Sequence, residues 1–152
     1  MIFTIEKDDF IISTDKLKLD INSIHQYLSE EAYWCKNISL DIVKRSIDNS
    51  ISFGIYHQNK QVGFARVITD KATFGYLADV FIINDYRGRG LSKWLMQCIL
   101  GHPELQGLRS LLLGTKDAHG LYSQFGFKPL ENPGRFMRYS SFTEYPATDE
   151  NK

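Results

Sequence analysis

Six consecutive residues, Arg87-Gly88-Arg89-Gly90-Leu91-Ser92, stand between an apolar run and an amphipathic one. Where such a loop opens a helix, the first backbone N–H groups lack partners and the helix end carries partial positive charge. Glycines there let the backbone come close to a ligand. The chemistry on offer is anion binding, pyrophosphate above all; the alternative is a basic surface turn whose glycines serve only turn geometry. Two other phosphate cradles are excluded by the residues present. No GxxxxGK[ST] run occurs, and Gly88 and Gly90 lack the third glycine of the dinucleotide fingerprint. From Arg87 to Lys116 the basic residues are Arg87, Arg89, Lys93, Arg109 and Lys116, against the single acid Glu104. An anion would meet a locally basic segment, although the formal net charge of the chain is zero and gives no general bias toward nucleic acid or membranes.

Asp79 is the only carboxylate in the apolar run FGYLADVFII. Burial would raise its pKa, which suits a general base; alternatively it pairs with Arg66 on the neighbouring strand. Cys35 and Cys98 are the only cysteines and are too far apart for a CxxC or zinc pattern, so no metal is expected and both thiols are read as reduced. His25 is read as a structural residue of the first helix.

These groups must be positioned by a chain of 152 residues, enough for one core without disulfides or a metal. Hydrophobic residues at 43% and charged residues at 24% are ordinary globular values, so partners have to be read from local features. The amino terminus has no long apolar run and no stretch approaches a membrane span, so the expected location is cytoplasmic. IFTIEKDDFIISTD reads as a hairpin around Lys7-Asp8-Asp9. Asp20 caps a helix with Ile21, Ile24, Tyr27 and Leu28 on one face, and a second helix starts near Ser39. Three antiparallel strands follow, with breaks at Gln58 to Gln61 and at Asp70-Lys71. Beyond the glycine loop, Leu91, Trp94, Leu95, Cys98 and Ile99 form a core-facing helical stripe that stops at His102-Pro103. RSLLLGT reads as an interior, doubly buried strand parallel to the one ending near Ile83; DAHGLYSQFGF as a short helix; and RFMRYSSF as a last strand. The class is mixed α/β, α+β-like in its order, with residues 1–142 as one domain and 143–152 as a polar tail.

Two segments carry a family resemblance. VFIINDYRGRGLSKWLM resembles the acyl-CoA-binding segment of the GNAT superfamily of N-acyltransferases, (Arg/Gln)-x-x-Gly-x-(Gly/Ala), at Arg87 and Gly90, with Ser92 in place of Gly or Ala. TKDAHGLYSQFGF is similar to that family's N-x-x-A-x-x-L-Y-x-K-x-G-F at Ala118, Leu121, Tyr122, Gly126 and Phe127, with Thr115 for Asn and Gln124 for Lys. The order of elements suits the same fold over residues 1–142.

The resemblance implies a central, mostly antiparallel sheet with one splayed parallel pair, flanked by about four helices. It implies acetyl-CoA as co-substrate, held by backbone groups of Phe81, Ile82 and Ile83, by the loop Arg87, Gly88, Arg89, Gly90, Leu91 and Ser92, and by Thr115 and Ala118 of the second motif. The implied chemistry is direct attack of an amine on the thioester. That requires a neutral amine, a stabilised oxyanion and a proton for the thiolate. Tyr122 matches the family tyrosine near the coenzyme sulfur and is the implied general acid, with core packing as its other role; Asp79 is the implied base through water. Tyr33 and Trp34 border the acceptor pocket in relatives, and Arg66 and His119 are assigned with them to substrate binding; His119, beside the tyrosine motif, could relay protons, although a helix-start histidine also serves as a solvated or capping residue. The expected acceptor is a small-molecule amine. Departures at Ser92 and Thr115 keep open a non-catalytic acyl-CoA-binding module, and a protein or peptide amine is the third reading. Nucleic acid is disfavoured, and homodimerisation, common in the family, has no element assigned to it.

Overall fold

The computed structural model describes residues 1–147. Strands β1 (Thr4–Lys7) and β2 (Phe10–Ser13) form the expected amino-terminal hairpin. Helix α1 (Ile21–Glu30) starts where Asp20 accepts from the Ser23 N–H at 3.1 Å, and α2 (Leu40–Asp48) where Ser39 accepts from the Ile42 N–H at 3.3 Å. Strands β3 (Ile51–His57), β4 (Lys60–Thr69) and β5 (Phe74–Ile82) make the expected antiparallel meander. The β3–β4 turn is only Gln58-Asn59, both with positive φ, the two-residue form whose twist matches its strands. Asp70 accepts from the N–H groups of Ala72, Thr73 and Phe74 and so shapes the next turn. Then come α3 (Leu91–Leu100), β6 (Ser110–Leu112) and the short α4 (His119–Ser123). The sheet order is β1-β2-β3-β4-β5-β6, antiparallel until the parallel β5–β6 pair.

Each face of the sheet carries its own apolar cluster. On one, Phe53, Ile55, Val67 and Leu77 meet the α3 stripe of Leu91, Trp94, Leu95, Cys98 and Ile99, all buried as the spacing requires. On the other, Phe64 and Phe81 pack with Ile24, Leu28, Val43 and Ile47 of α1 and α2. Strict alternation would put Leu77 and Ile82 on opposite faces, yet both belong to the α3 cluster. The register explains it: Arg66 pairs with Ala78 but Phe64 with Phe81, so β5 has one residue more than β4 across this step. That bulge holds Asp79 at φ 55°, a left-handed backbone for a non-glycine residue.

Two expectations fail together. RFMRYSSF forms no strand; beyond a 3-10 turn at Pro133–Arg135 the backbone is irregular, with Met137 98% and Tyr139 96% exposed. Its apolar residues are divided between both alternating faces, so in one chain neither face has a dry side to meet. Without that strand β6 is the sheet edge rather than an interior strand, with Ser110 exposed and Leu111 and Leu112 only half-buried. Within the expected tail, Tyr145 packs against the α1–α2 cluster; residues 148–152 lie outside the described residues.

His102, fully buried after α3, accepts the Glu104 N–H on Nδ1 at 3.0 Å, and its Nε2 has no partner among the described residues. The rings of Phe3 and Phe53 present edges to it. Burial, the dominant cause, holds its pKa below the ordinary histidine value, with Glu104 opposing. The unfolded chain therefore takes up this proton more readily. Stability from His102 is complete above about pH 6.5, the unfolded value, and is lost as pH falls from there through the depressed folded value. Urea midpoints measured from pH 7.5 to 5 should fall with acid in the wild type. They should fall less steeply in His102→Asn, which keeps a cap acceptor and cannot titrate, even if that variant is less stable throughout.

Candidate active site

β5 and β6 pair only through Phe74–Ser110, Gly75–Leu111 and Tyr76–Leu112. Past Tyr76 the strands part, so β5 from Leu77 to Ile82 has a strand on its β4 side alone; the Ile83 N–H continues that side by donating to Val62 O at 2.9 Å, while Ile82 O, which points to the gap, accepts from Arg87 Nε. This leaves the Phe81–Ile83 stretch with an open edge toward the gap, while its side chains lie in the two cores.

The glycine loop caps the end of that edge. Gly88 and Gly90 both have φ of 78°, where a Cβ would meet nothing within 4 Å, so the requirement for glycine is conformational. Gly90 heads α3 without a side-chain cap, and the first intrahelical bond is Trp94 N–H to Gly90 O. The N–H groups of Leu91, Ser92 and Lys93 are thus unpaired at a helix amino terminus. Leu91 itself is a core side chain, so only its N–H faces this task. Arg87, though exposed, is engaged within the chain: Nε donates to Ile82 O at 2.9 Å and Nη2 to the Tyr27 hydroxyl at 2.9 Å. Tyr27 in turn stacks on Phe81 at 3.9 Å, so the loop, β5 and α1 are tied by one side chain. Arg89 and Lys60 lie over the Tyr86 ring, at 4.8 and 5.7 Å, and bring cations to the loop's flank.

Tyr122 is buried at the far side of the gap, on α4. Its ring meets Phe127 edge-on at 5.8 Å, and its hydroxyl has no hydrogen bond among the described residues. Burial raises its pKa, so the phenol stays protonated. Thr115 accepts the Ala118 N–H at 3.0 Å, which lets a threonine turn the chain into α4 where the motif usually has asparagine. Thr115, His119 and Tyr122 border a cavity of about 920 Å3 along β6; the 87–92 loop does not reach it.

On the other side of the bulge, Asp79 adopts its pairing role. Arg66 Nε donates to Oδ2 at 2.7 Å and Trp34 Nε1 to Oδ1 at 2.8 Å, so both oxygens are engaged. The ion pair is nearly buried, with side chains 15% and 10% exposed. Tyr33 meets Trp34 edge-on, and Lys116 from the β6–α4 connection lies over Tyr33 at 5.2 Å. The aromatic connection therefore reaches from β5 to the far wall of the gap. No hydrogen bond joins Tyr122 to Asp79, and exposed His119 makes none with either. Sequence reasoning gave Lys116 only as part of the basic segment and Tyr27 only as part of a helix face, and did not single out Tyr145; the aromatic-rich neighbourhood of Tyr33 alone hinted at such walls. Cys35, with its thiol pushed up to about 12 chiefly by burial and then by Asp79, and Cys98, raised to about 11 by burial, are inert core thiols.

A family model described as an acetyltransferase (GNAT) domain matches residues 48–129. A candidate acetyltransferase of Gibberella zeae is 30% identical over 80% of this chain and 81% of its own. The solved structure of a candidate GNAT-family acetyltransferase from Xanthomonas campestris pv. campestris is 48% identical, covers 89% of this chain and 95% of its own, and superposes with a TM-score of 0.86. A candidate acetyltransferase from Clostridium acetobutylicum, solved with acetyl-CoA, shares the fold with a TM-score of 0.63 at 12% identity over 92% and 96% of the two chains.

Asp79→Asn tests the clamp. Asparagine tolerates the left-handed backbone, so the main change is an Arg66 charge left buried without its partner. A loss of about 3 kcal/mol in denaturant-derived stability is expected.

Proposed function

Because this chain belongs to the GNAT family of acetyltransferases, we propose that it transfers an acetyl group from acetyl-CoA to the amine of a small molecule by direct attack. The observation that carries this reading is the splay of β5 from β6 directly ahead of a helix headed by a left-handed glycine. The residues fit the coenzyme. Unpaired N–H groups of Leu91 to Lys93, with glycine backbone at 88 and 90, suit a pyrophosphate, and the strand-free side of β5, where only Ile82 O is taken by Arg87, suits an amide-bearing arm. Acetyl-CoA, when bound, supplies the activated acyl group.

The remaining tasks fall to side chains of this chain. Tyr122 keeps its proton through burial and has a hydroxyl without a partner, as suits the general acid for a departing thiolate. Asp79, with both oxygens engaged, serves to fix Arg66 and Trp34 on the acceptor wall; an amine that arrives neutral loses a proton only after attack, through water to the Tyr122 phenolate left when the phenol protonates the thiolate, which restores the phenol. The bridging of Tyr33 and Trp34 from Asp79 to Lys116 narrows the approach, which favours a small amine over a peptide.

Calorimetric titration of acetyl-CoA should give saturable binding in the wild type and none in Gly90→Glu, which adds bulk and negative charge at the loop. Absence of wild-type binding would sink the reading. With a panel of small amines, Tyr122→Phe should bind the coenzyme like the wild type while turnover falls about 100- to 10,000-fold. Binding without any turnover in the wild type would instead identify a coenzyme-binding module. In a pH–rate series, Asp79→Asn should stay within about tenfold of wild type at every pH; a general base for the amine would leave a deficit of about 100-fold or more below the amine pKa that closes as pH rises past it.

A further inference from the structure

We infer that the acceptor amine carries an acidic group, a carboxylate or a phosphate, on a flat apolar body; this rests on the acetyl-transfer reading above. Lys116 takes the acidic group, and Tyr33 with Trp34 takes the body. The first observation is the balance of charge on the acceptor wall. Arg66 and Asp79 are committed to each other, and the second oxygen of Asp79 holds Trp34, so neither offers a charge to a ligand. The ion pairs among the described residues are Arg45–Asp41, Arg66–Asp79 and Lys71–Glu104, and none involves Lys116. Its chain neighbour Asp117, and Glu31 and Lys36 on the α1–α2 connection, are exposed and form no ion pair with it. An ammonium with its N–H donors open thus stands at this wall.

The second observation is what holds that ammonium. Lys116 lies on the connection between β6 and the helix that bears Tyr122, and its Nζ sits 5.2 Å from the centre of the Tyr33 ring. The negative face of the ring draws the cation over it, which keeps a flexible side chain at the gap instead of letting it swing into water. The third observation is the aromatic surface itself. Tyr33 is 59% and Trp34 42% exposed, yet Trp34 Nε1 donates to Asp79 Oδ1, and Arg66 fixes that carboxylate in a nearly buried pair. A large aromatic surface is left open while its orientation is set from beneath. The two rings meet edge-on, with centroids 5.2 Å apart and planes at 87°, and so form a corner. A planar body can stack on one ring and present its edge to the other.

The same features decide against other amines. A polyamine or a lysine-rich peptide would bring a second cation to Lys116, and Asp79, engaged at both oxygens, could not receive it. A plain alkylamine would cover the aromatic corner but leave the ammonium unanswered. An amine with an acid at its far end meets both, on a surface ordered before the ligand arrives.

Steady-state acetylation of matched amines by the full chain decides the matter. Para-(aminomethyl)benzoate is set against its neutral isostere para-(aminomethyl)benzamide, and tyramine phosphate against tyramine, so the two pairs separate carboxylate from phosphate. In the wild type, kcat/KM should favour the acidic member of at least one pair by about tenfold or more, with the difference in KM rather than kcat. That preference should collapse toward unity in Lys116→Ala, return in Lys116→Arg and reverse in Lys116→Glu. Lys116 is exposed, so these replacements should leave the circular dichroism unchanged. A wild type that binds acetyl-CoA but takes the neutral members as well as the acidic ones, or takes none of the four, overturns the proposal. So does a preference that survives in Lys116→Ala. Failure of the wild type to bind acetyl-CoA, read separately by calorimetry, instead overturns the acetyl-transfer reading beneath it.

Discussion

The one-residue bulge in β5, clamped by the Arg66–Asp79 ion pair, is the constraint on which the site depends. An extra residue re-aims the strand, so that Leu77 before it and Val80 and Ile82 after it can all pack toward α3, while Phe81 is turned into the α1–α2 core. The left-handed backbone at Asp79 is strained for a non-glycine residue and persists because its side chain is held from two directions. Just before the bulge, β5 leaves β6. Pairing with β4 resumes immediately beyond it, and the open edge of β5 follows from that difference.

Both cores act to keep the opening rigid. The α3 stripe locks the helix against β3, β4 and β5, so the N–H groups at its start are aimed by packing rather than by the loop's own stiffness. Arg87, the most conspicuous charge in the loop, is engaged by bonds to Ile82 and Tyr27, so the cations left at the loop's flank are Arg89 and Lys60. Burial protects the phenol of Tyr122 and silences both cysteines by the same physics: removal from water disfavours the charged form.

The wall opposite Tyr122 is assembled from distant segments: the α1–α2 connection through Tyr33 and Trp34, the β6–α4 connection through Lys116, and the carboxy-terminal segment through Tyr145. These are loops laid over a fixed sheet, the part of such a fold free to vary with the acceptor. The unpaired stretch that follows α4 belongs to the same outer layer. Its apolar side chains give the protein a surface that its own sheet leaves uncovered.

The glycine loop, the α3 stripe, both helix caps and the antiparallel meander were legible in the sequence because each is decided locally. Left-handed turns require glycine, helix ends require side-chain acceptors, and apolar spacing reports which face is buried. Tyr122 was legible through its motif. The fate of Asp79 was legible only as two open choices, since a bulge inserts a residue without altering composition and its partner lies thirteen positions away on another strand. Lys116 and Tyr27 were legible as a basic residue and a helix-face residue, but the partners they meet, Tyr33 and Phe81 with Arg87, lie on other segments, and Tyr145 carries no local signal. The sequence by itself determined every α-helix, the six strands and the glycine loop, but not the fate of RFMRYSSF. Tertiary structure alone decided which carboxylate is clamped, where the sheet opens and which strand stays unpaired, because those outcomes depend on contacts between segments whose local propensities are indifferent to one another.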